Sequence, residues 1–353
     1  MENSISRRKF VLSASTLALT APFLKAEKKL SITELPIIKP KALKKGDTIA
    51  LISPASNIES HENLVIDKEM MEWLGFKVVI GKNAFNQYGY LAGKDQERAD
   101  DVNEMFRRDD IDGIFCTRGG YGTMRMLPLL DYDTIRKNPK VIIGYSDITS
   151  LLLAIHKMTG LVTFHGPVAG STFNEYTMEY LKKAVFGNQV IGKINMPKSN
   201  ANVETENRLL KLHSGKTRGR LIGGNLSLYS TLIGTPYDID PKGKILFLED
   251  VGEEPYRIDR MLSHLWLAGK LNEISGVVIG KMTDIKSRDY KPAFDNTLSI
   301  EEILRTRFEP LNIPSVYGYM IGHIKDKITM PIGVMASMDV DKSEFIIEEN
   351  SVS

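Results

Sequence analysis

Ser146 closes the apolar, β-branched run Val141-Ile142-Ile143-Gly144 and opens a helical pattern in which Leu151, Leu152 and Ile155 share one face. A serine at a sharp strand-to-helix corner lifts its hydroxyl above the end of a sheet. The backbone N–H groups of a helix start lie beside it, which is the arrangement an acyl-transfer nucleophile needs. The elbow pattern Gly-x-Ser-x-Gly is half met, with Gly144 present and Ile148 in place of the second glycine. The ordinary structural explanation is a helix N-cap, for which serine is a favoured residue.

A serine nucleophile needs a base in hydrogen-bond reach and a group to orient that base. Six histidines are available. His61, His156 and His264 fall in helical stretches and His213 in a polar connector. His165 and His323 each follow a strand pattern, so sequence position alone leaves the base open between them. Glu249 directly follows the apolar strand Ile245–Leu248, where a carboxylate requires a partner, with Asp250 as its rival for the orienting role. An ion pair with Arg257 or Arg260 is the structural alternative. Asp147 is a chain neighbour of Ser146 and is expected to stabilise a helix N-terminus instead. The loop Arg118-Gly119-Gly120-Tyr121-Gly122 lacks the rest of a dinucleotide fingerprint. It fits a tight turn, or a donor of one backbone N–H to an oxyanion hole shared with Asp147.

The elements that must position these residues alternate strand and helix. Strands are expected from Thr48 to Ser53, ended by Pro54, and at Lys77–Ile80, Gly113–Cys116, Val141–Ile143 and, fifth, Leu161–Phe164; helices span Ser60–Leu74 and Asp95–Phe106. This pattern predicts an α/β fold with an open, mostly parallel N-terminal sheet flanked by helices, and its active site at the carboxyl ends of the strands. Residues 173–206 read as a connecting segment containing one helix near Met178–Val185. A second, C-terminal α/β domain over residues 207–350 then carries Ile245–Leu248, a helix from Tyr256 to Ala268, strands at Gly276–Gly280 and Val316–Tyr319, and a hairpin-like tail from Ile328 to Glu348. The first domain is placed at residues 37–172.

The 353 residues are 42% hydrophobic and 25% charged with a net charge of +2, ordinary for a globular chain and without an electrostatic case for nucleic acid. The single cysteine, Cys116, lies in a strand pattern and reads as a packed thiol. No Cys/His spacing suits zinc, so neither a metal nor a cofactor is expected. At the N-terminus, Ser6-Arg7-Arg8-Lys9-Phe10-Val11 followed by an apolar stretch to Leu24 is a twin-arginine export pattern. Residues 1–26 are read as that signal, with Ala26 before Glu27 the best cleavage point. The stretch is too short for a stable membrane span, and a periplasmic location is expected.

Six short motifs together resemble the serine LD-carboxypeptidase family, from about Lys44 to Pro331. They are Arg118–Gly122, Gly144-Tyr145-Ser146-Asp147-Ile148-Thr149, Thr163-Phe164-His165-Gly166-Pro167, Gly223-Gly224-Asn225-Leu226, Phe247-Leu248-Glu249-Asp250-Val251 and Ile321-Gly322-His323. The resemblance implies a triad of Ser146, Glu249 and His323, with His165 structural, an oxyanion hole near Gly120 and Asp147, two domains and a homodimer. It implies one of two activities: release of the terminal D-Ala from murein tetrapeptides, or cleavage of an amide in a peptidyl-nucleotide toxin, microcin C self-immunity. Cytoplasmic recycling is typical of the murein members, so the export pattern is a departure. A carboxypeptidase must hold a free carboxylate, and Arg118 is the tentative cation for it; a local ion pair with Asp147 or Glu249 is the alternative. Neither Trp73 nor Trp266 is placed to stack a base, which favours the murein peptide. Two further readings are a non-catalytic muropeptide binder and a nucleotide-dependent oxidoreductase using the glycine loop.

Overall fold

The structure is a computed structural model and describes residues 35–187, 189–198, 207–288, 294 and 296–353. The export pattern at residues 1–26 lies outside the described residues. Residues Leu35–Ser353 form one compact unit containing two α/β layers.

In the first half the order is β1 (Thr48–Ile52), α1 (His61–Trp73), β2 (Lys77–Ile80), α2 (Asp95–Arg107), β3 (Gly113–Cys116), α3 (Thr123–Met126), α4 (Tyr132–Lys137), β4 (Val141–Gly144), α5 (Ile148–Thr159), β5 (Thr163–His165) and α6 (Glu175–Val185). The second half runs β6 (Gly192–Lys193), β7 (Leu210–His213), β8 (Lys216–Asn225), α7 (Leu226–Thr231), β9 (Ile245–Val251), α8 (Pro255–Leu267), α9 (Lys270–Glu273), β10 (Gly276–Thr283), α10 (Ile300–Phe308), β11 (Ser315–Tyr317), β12 (Met330–Ile332), β13 (Met335–Asp339) and β14 (Glu344–Ile347).

The first sheet has the order β12-β5-β4-β3-β1-β2. β1 to β5 are parallel and follow the doubly wound order 2-1-3-4-5, so the strand order reverses between β1 and β3. β3 and β4 are buried along their whole length, which is why their sequences are unbroken apolar runs. The second sheet, β6-β14-β13-β8-β9-β10-β11-β7, has a parallel centre, β8 to β11, and antiparallel flanks.

Two features join the layers. Helix α5 is buried on nearly every side, from Ile148 through His156, and a helix apolar all round belongs in an interior. It packs on β4, β5 and β8, and Thr149 Oγ1 on it accepts the Asn225 N–H at 3.1 Å. The second feature differs from the hairpin expected for the tail. β13 and β14 do form that hairpin, but β12 leaves it and pairs antiparallel with β5. The chain returns to the second sheet through Gly333, where a Cβ would come within 2.3 Å of the His156 ring. Of the expected strands, β9 runs on through Glu249 and Asp250 to Val251, and His165 is the last residue of β5. The segment between the layers contributes Leu181, Ala184 and Val185 of α6 to the core, and β6 to the edge of the second sheet.

Candidate active site

Ser146 has φ +63, the left-handed region in which a non-glycine residue is strained. It is not the N-cap of α5: Asp147 is, and its carboxylate does not cap its own helix. Asp147 Oδ2 instead accepts the Thr123 N–H at 2.9 Å, holding the start of α3. Burial pushes the Asp147 carboxyl upward, partly offset by these donors. Its expected role in helix stabilisation therefore holds, but for α3. The strained corner is crowded from one side by the glycine loop. A Cβ on Gly119 would sit 2.8 Å from Ser146 Cβ and 3.1 Å from its Oγ, so only glycine lets the loop approach this closely. Gly120 has φ +115, and its Cβ position is taken by Ser56, whose Oγ accepts the Tyr121 N–H.

Glu249 arrives from the second sheet. Parallel register sets it against Asn225, the last residue of β8, and its side chain is fully buried. His323 Nδ1 lies 2.8 Å from Glu249 Oε2. This approach requires Gly322, whose Cβ would fall 2.5 Å from the same oxygen at φ +115. Burial alone would push the Glu249 carboxyl up, but the His323 hydrogen bond and the neighbouring imidazoles of His323 and His165 hold it below its ordinary value. Neither Arg257 nor Arg260 takes part: Arg257 reaches Glu253 at 3.8 Å, and both stack on Tyr256. The ring of Tyr145, the residue before Ser146, lies 4.8 Å from the His323 ring. Through Tyr145 the serine corner of the first sheet thus comes against the His323–Glu249 pair of the second, while no hydrogen bond joins Ser146 to His323 among the described residues.

His165 is the other histidine at this centre. Its Nε2 is 3.8 Å from Glu249 Oε1, too long for a hydrogen bond, and neither ring nitrogen has a partner among the described residues. Burial lowers its pKa to about 4, so it stays neutral. Asp250 is pushed up to about 6 by burial and by Glu249; it holds Asn225 Nδ2 and Ser227, so its oxygens are committed to the start of α7.

Arg118 pairs with neither Asp147 nor Glu249. Its Nη1 lies 3.4 Å from Glu59 Oε1 and 3.3 Å from the Asn57 carbonyl, with the side chain 41% exposed. Two residues escaped the reading of the sequence. The buried Lys327 ammonium sits 4.6 Å over the Tyr145 ring, and burial lowers its pKa against the pull of Glu249. Its signal was its place four residues after His323. The other, Asp67, occupies the buried stripe Leu64/Asp67/Met71 of α1, where the helical period calls for an apolar side chain. Trp73 and Trp266 are both exposed, at the end of α1 and on α8. Among the described residues no group of three or more His, Cys, Asp or Glu could hold a metal ion, and no helix is long and apolar enough to cross a membrane.

A strained serine at a strand-to-helix corner, with a histidine–carboxylate pair against the tyrosine that precedes it, holds the residue types that acyl transfer uses. Residues 49–166 match the LD-carboxypeptidase N-terminal domain and residues 218–338 the C-terminal domain of the same family. The chain belongs to the LD-carboxypeptidase family and is a carboxypeptidase-type hydrolase. It is 41% identical to the probable murein peptide carboxypeptidase of Bacillus subtilis, over 88% of this chain and 94% of that one. It is 32% identical to the microcin C7 self-immunity protein MccF of Escherichia coli, over 87% and 95%. The crystal structure of muramoyltetrapeptide carboxypeptidase from Oxalobacter formigenes superposes with a TM-score of 0.72 at 28% identity, covering 86% of this chain and 99% of that one.

Proposed function

We propose that the protein is a serine peptidase that removes the terminal D-Ala from murein tetrapeptides by way of an acyl-enzyme. The observation that carries this reading is the 2.8 Å contact between His323 Nδ1 and the buried Glu249 carboxylate. A carboxylate partner keeps the proton on Nδ1 and leaves Nε2 free to accept one. In the proposed sequence Ser146 Oγ attacks the scissile carbonyl carbon as its proton passes to His323 Nε2. The imidazolium that forms is stabilised by Glu249 and returns the proton to the leaving D-Ala nitrogen as the C–N bond breaks. A water molecule then releases the peptide by the same steps in reverse. The N–H groups of Gly120 and Asp147 are assigned to the oxyanion, and Arg118, loosely held at the rim, to a substrate carboxylate.

Ser146→Ala is expected to lower turnover by several orders of magnitude, up to about 10⁶ as in other serine triads. Released D-Ala, followed by mass spectrometry on a free tetrapeptide, is the measurement. Retention of more than about a tenth of the rate would remove Ser146 from the mechanism. Offering the C-terminal amide and a peptidyl-adenylate in parallel separates carboxypeptidase from immunity-type amidase. The murein reading is favoured because Trp73 and Trp266 are exposed on α1 and α8, and the glycine loop that an oxidoreductase would use is packed on Ser146. We assign the protein to the periplasm on the Arg7-Arg8 pattern and to homodimers on the family resemblance; cell fractionation and light scattering test the two.

A further inference from the structure

A cavity of about 440 Å³ opens at the carboxyl ends of β1 and β3, the point where the strand order reverses and where open α/β sheets take their ligands. It adjoins the nucleophile, because Arg118 on its wall is followed by Gly119, which is packed on Ser146. Asp67 reaches it from the buried face of α1. Asp67 as a residue is 6% exposed, and among the described residues its carboxyl makes no hydrogen bond or ion pair. Burial is the sole cause that raises its pKa to about 6. The backbone makes room for it: a Cβ on Gly170 would stand 3.0 Å from Asp67 Oδ1. An unpaired buried carboxylate is costly to the fold and does nothing for packing that leucine would not do better. Ile58, Ile66 and Val168 line the same cavity, and Arg118 stands at its edge. Asp67 and the exposed Glu59 are too few oxygen donors for a divalent metal.

We propose that this cavity binds a primary ammonium on an aliphatic stem, with Asp67 as its counter-charge. The ligand class is thus the alkylammonium side chain of a diamino acid. On the function proposed above, from which this follows, it is the side chain of the residue whose carbonyl acylates Ser146. The apolar wall takes the methylene stem, and the charged head meets Asp67 at the far end. The cavity thereby selects the residue on the acyl side of the cut bond.

The test compares two tetrapeptides, one with the free side-chain amine and one with that amine acetylated, on the full chain and on Asp67→Asn. The expected result is a preference for the free amine of about tenfold or more in kcat/KM, lost in Asp67→Asn, with the acetylated peptide cleaved equally by both proteins. Equal loss on both peptides, or no loss on either, overturns the assignment. Calorimetric binding of the same peptides to Ser146→Ala, with and without Asp67→Asn, answers independently of turnover. If the chain cleaves neither peptide but Ser146→Ala still binds the free amine in an Asp67-dependent way, the peptidase reading fails and the subsite stands. If binding is absent or indifferent to Asp67, the subsite fails whatever the rates.

Discussion

At Ser146 a single backbone angle separates a capping serine from a strained corner. A cap has extended backbone, whereas φ +63 costs a non-glycine residue about 1–2 kcal/mol. Ser146→Gly is therefore expected to be more stable than Ser146→Ala by about 1 kcal/mol, with both inactive; chemical denaturation measures the difference. Equal stability of the two would mean that the corner is not strained. Asp67 gives a second prediction at this scale, on pH. Its folded pKa is about 6 against an ordinary 3.8, so between those values the native state holds a proton the unfolded chain has released. Stability falls as pH rises through that window and stays lower above it. Asp67→Asn lacks this loss. It should melt a few degrees above wild type at pH 7.5 and show a smaller gap at pH 4.5, by scanning calorimetry. A lower melting temperature at pH 7.5 would mean that Asp67 has a partner in solution.

Elements deliver the side chains of the proposed triad by close backbone approach. β9 carries Glu249 inward, and the loop after β11 brings His323 down on it only because residue 322 has no Cβ. Gly322→Ala adds an atom 2.5 Å from the carboxylate at a backbone angle that disfavours alanine. It is expected to lower kcat by 10²-fold or more through a displaced His323, with a smaller effect on KM. A variant with wild-type kcat would show that the loop has slack. Helix α5 works at the same scale: it is both the seat of the serine corner and the packing surface between β4, β5 and β8.

For the whole molecule, the strand β12 decides which pieces stand alone. It belongs in sequence to the second half and in space to the first sheet, where it covers the edge of β5. A fragment of residues 35–215 would lose it, along with the partners of α5 on β8. That fragment is expected to aggregate or stay unfolded, because it exposes an apolar helix face and an unpaired strand edge. Circular dichroism and size exclusion decide the matter; a monomeric, cooperatively melting fragment would show that the first layer folds without the second.

The alternation of apolar runs and amphipathic helices was enough to anticipate both α/β layers, since fully buried strands admit only apolar residues and turns need glycine. Ser146, Glu249 and His323 were legible as strand-end residues, and the family motifs singled them out. Sequence alone left His165 and His323 equivalent, because both stand at the carboxyl end of a strand. The distance to Glu249 separates them, and that depends on two sheets packing across α5. The partner of Arg118, the destination of β12 and the cavity around Asp67 were likewise invisible. Each joins residues far apart in the chain, and local periodicity records which face a residue occupies but not what is brought opposite to it.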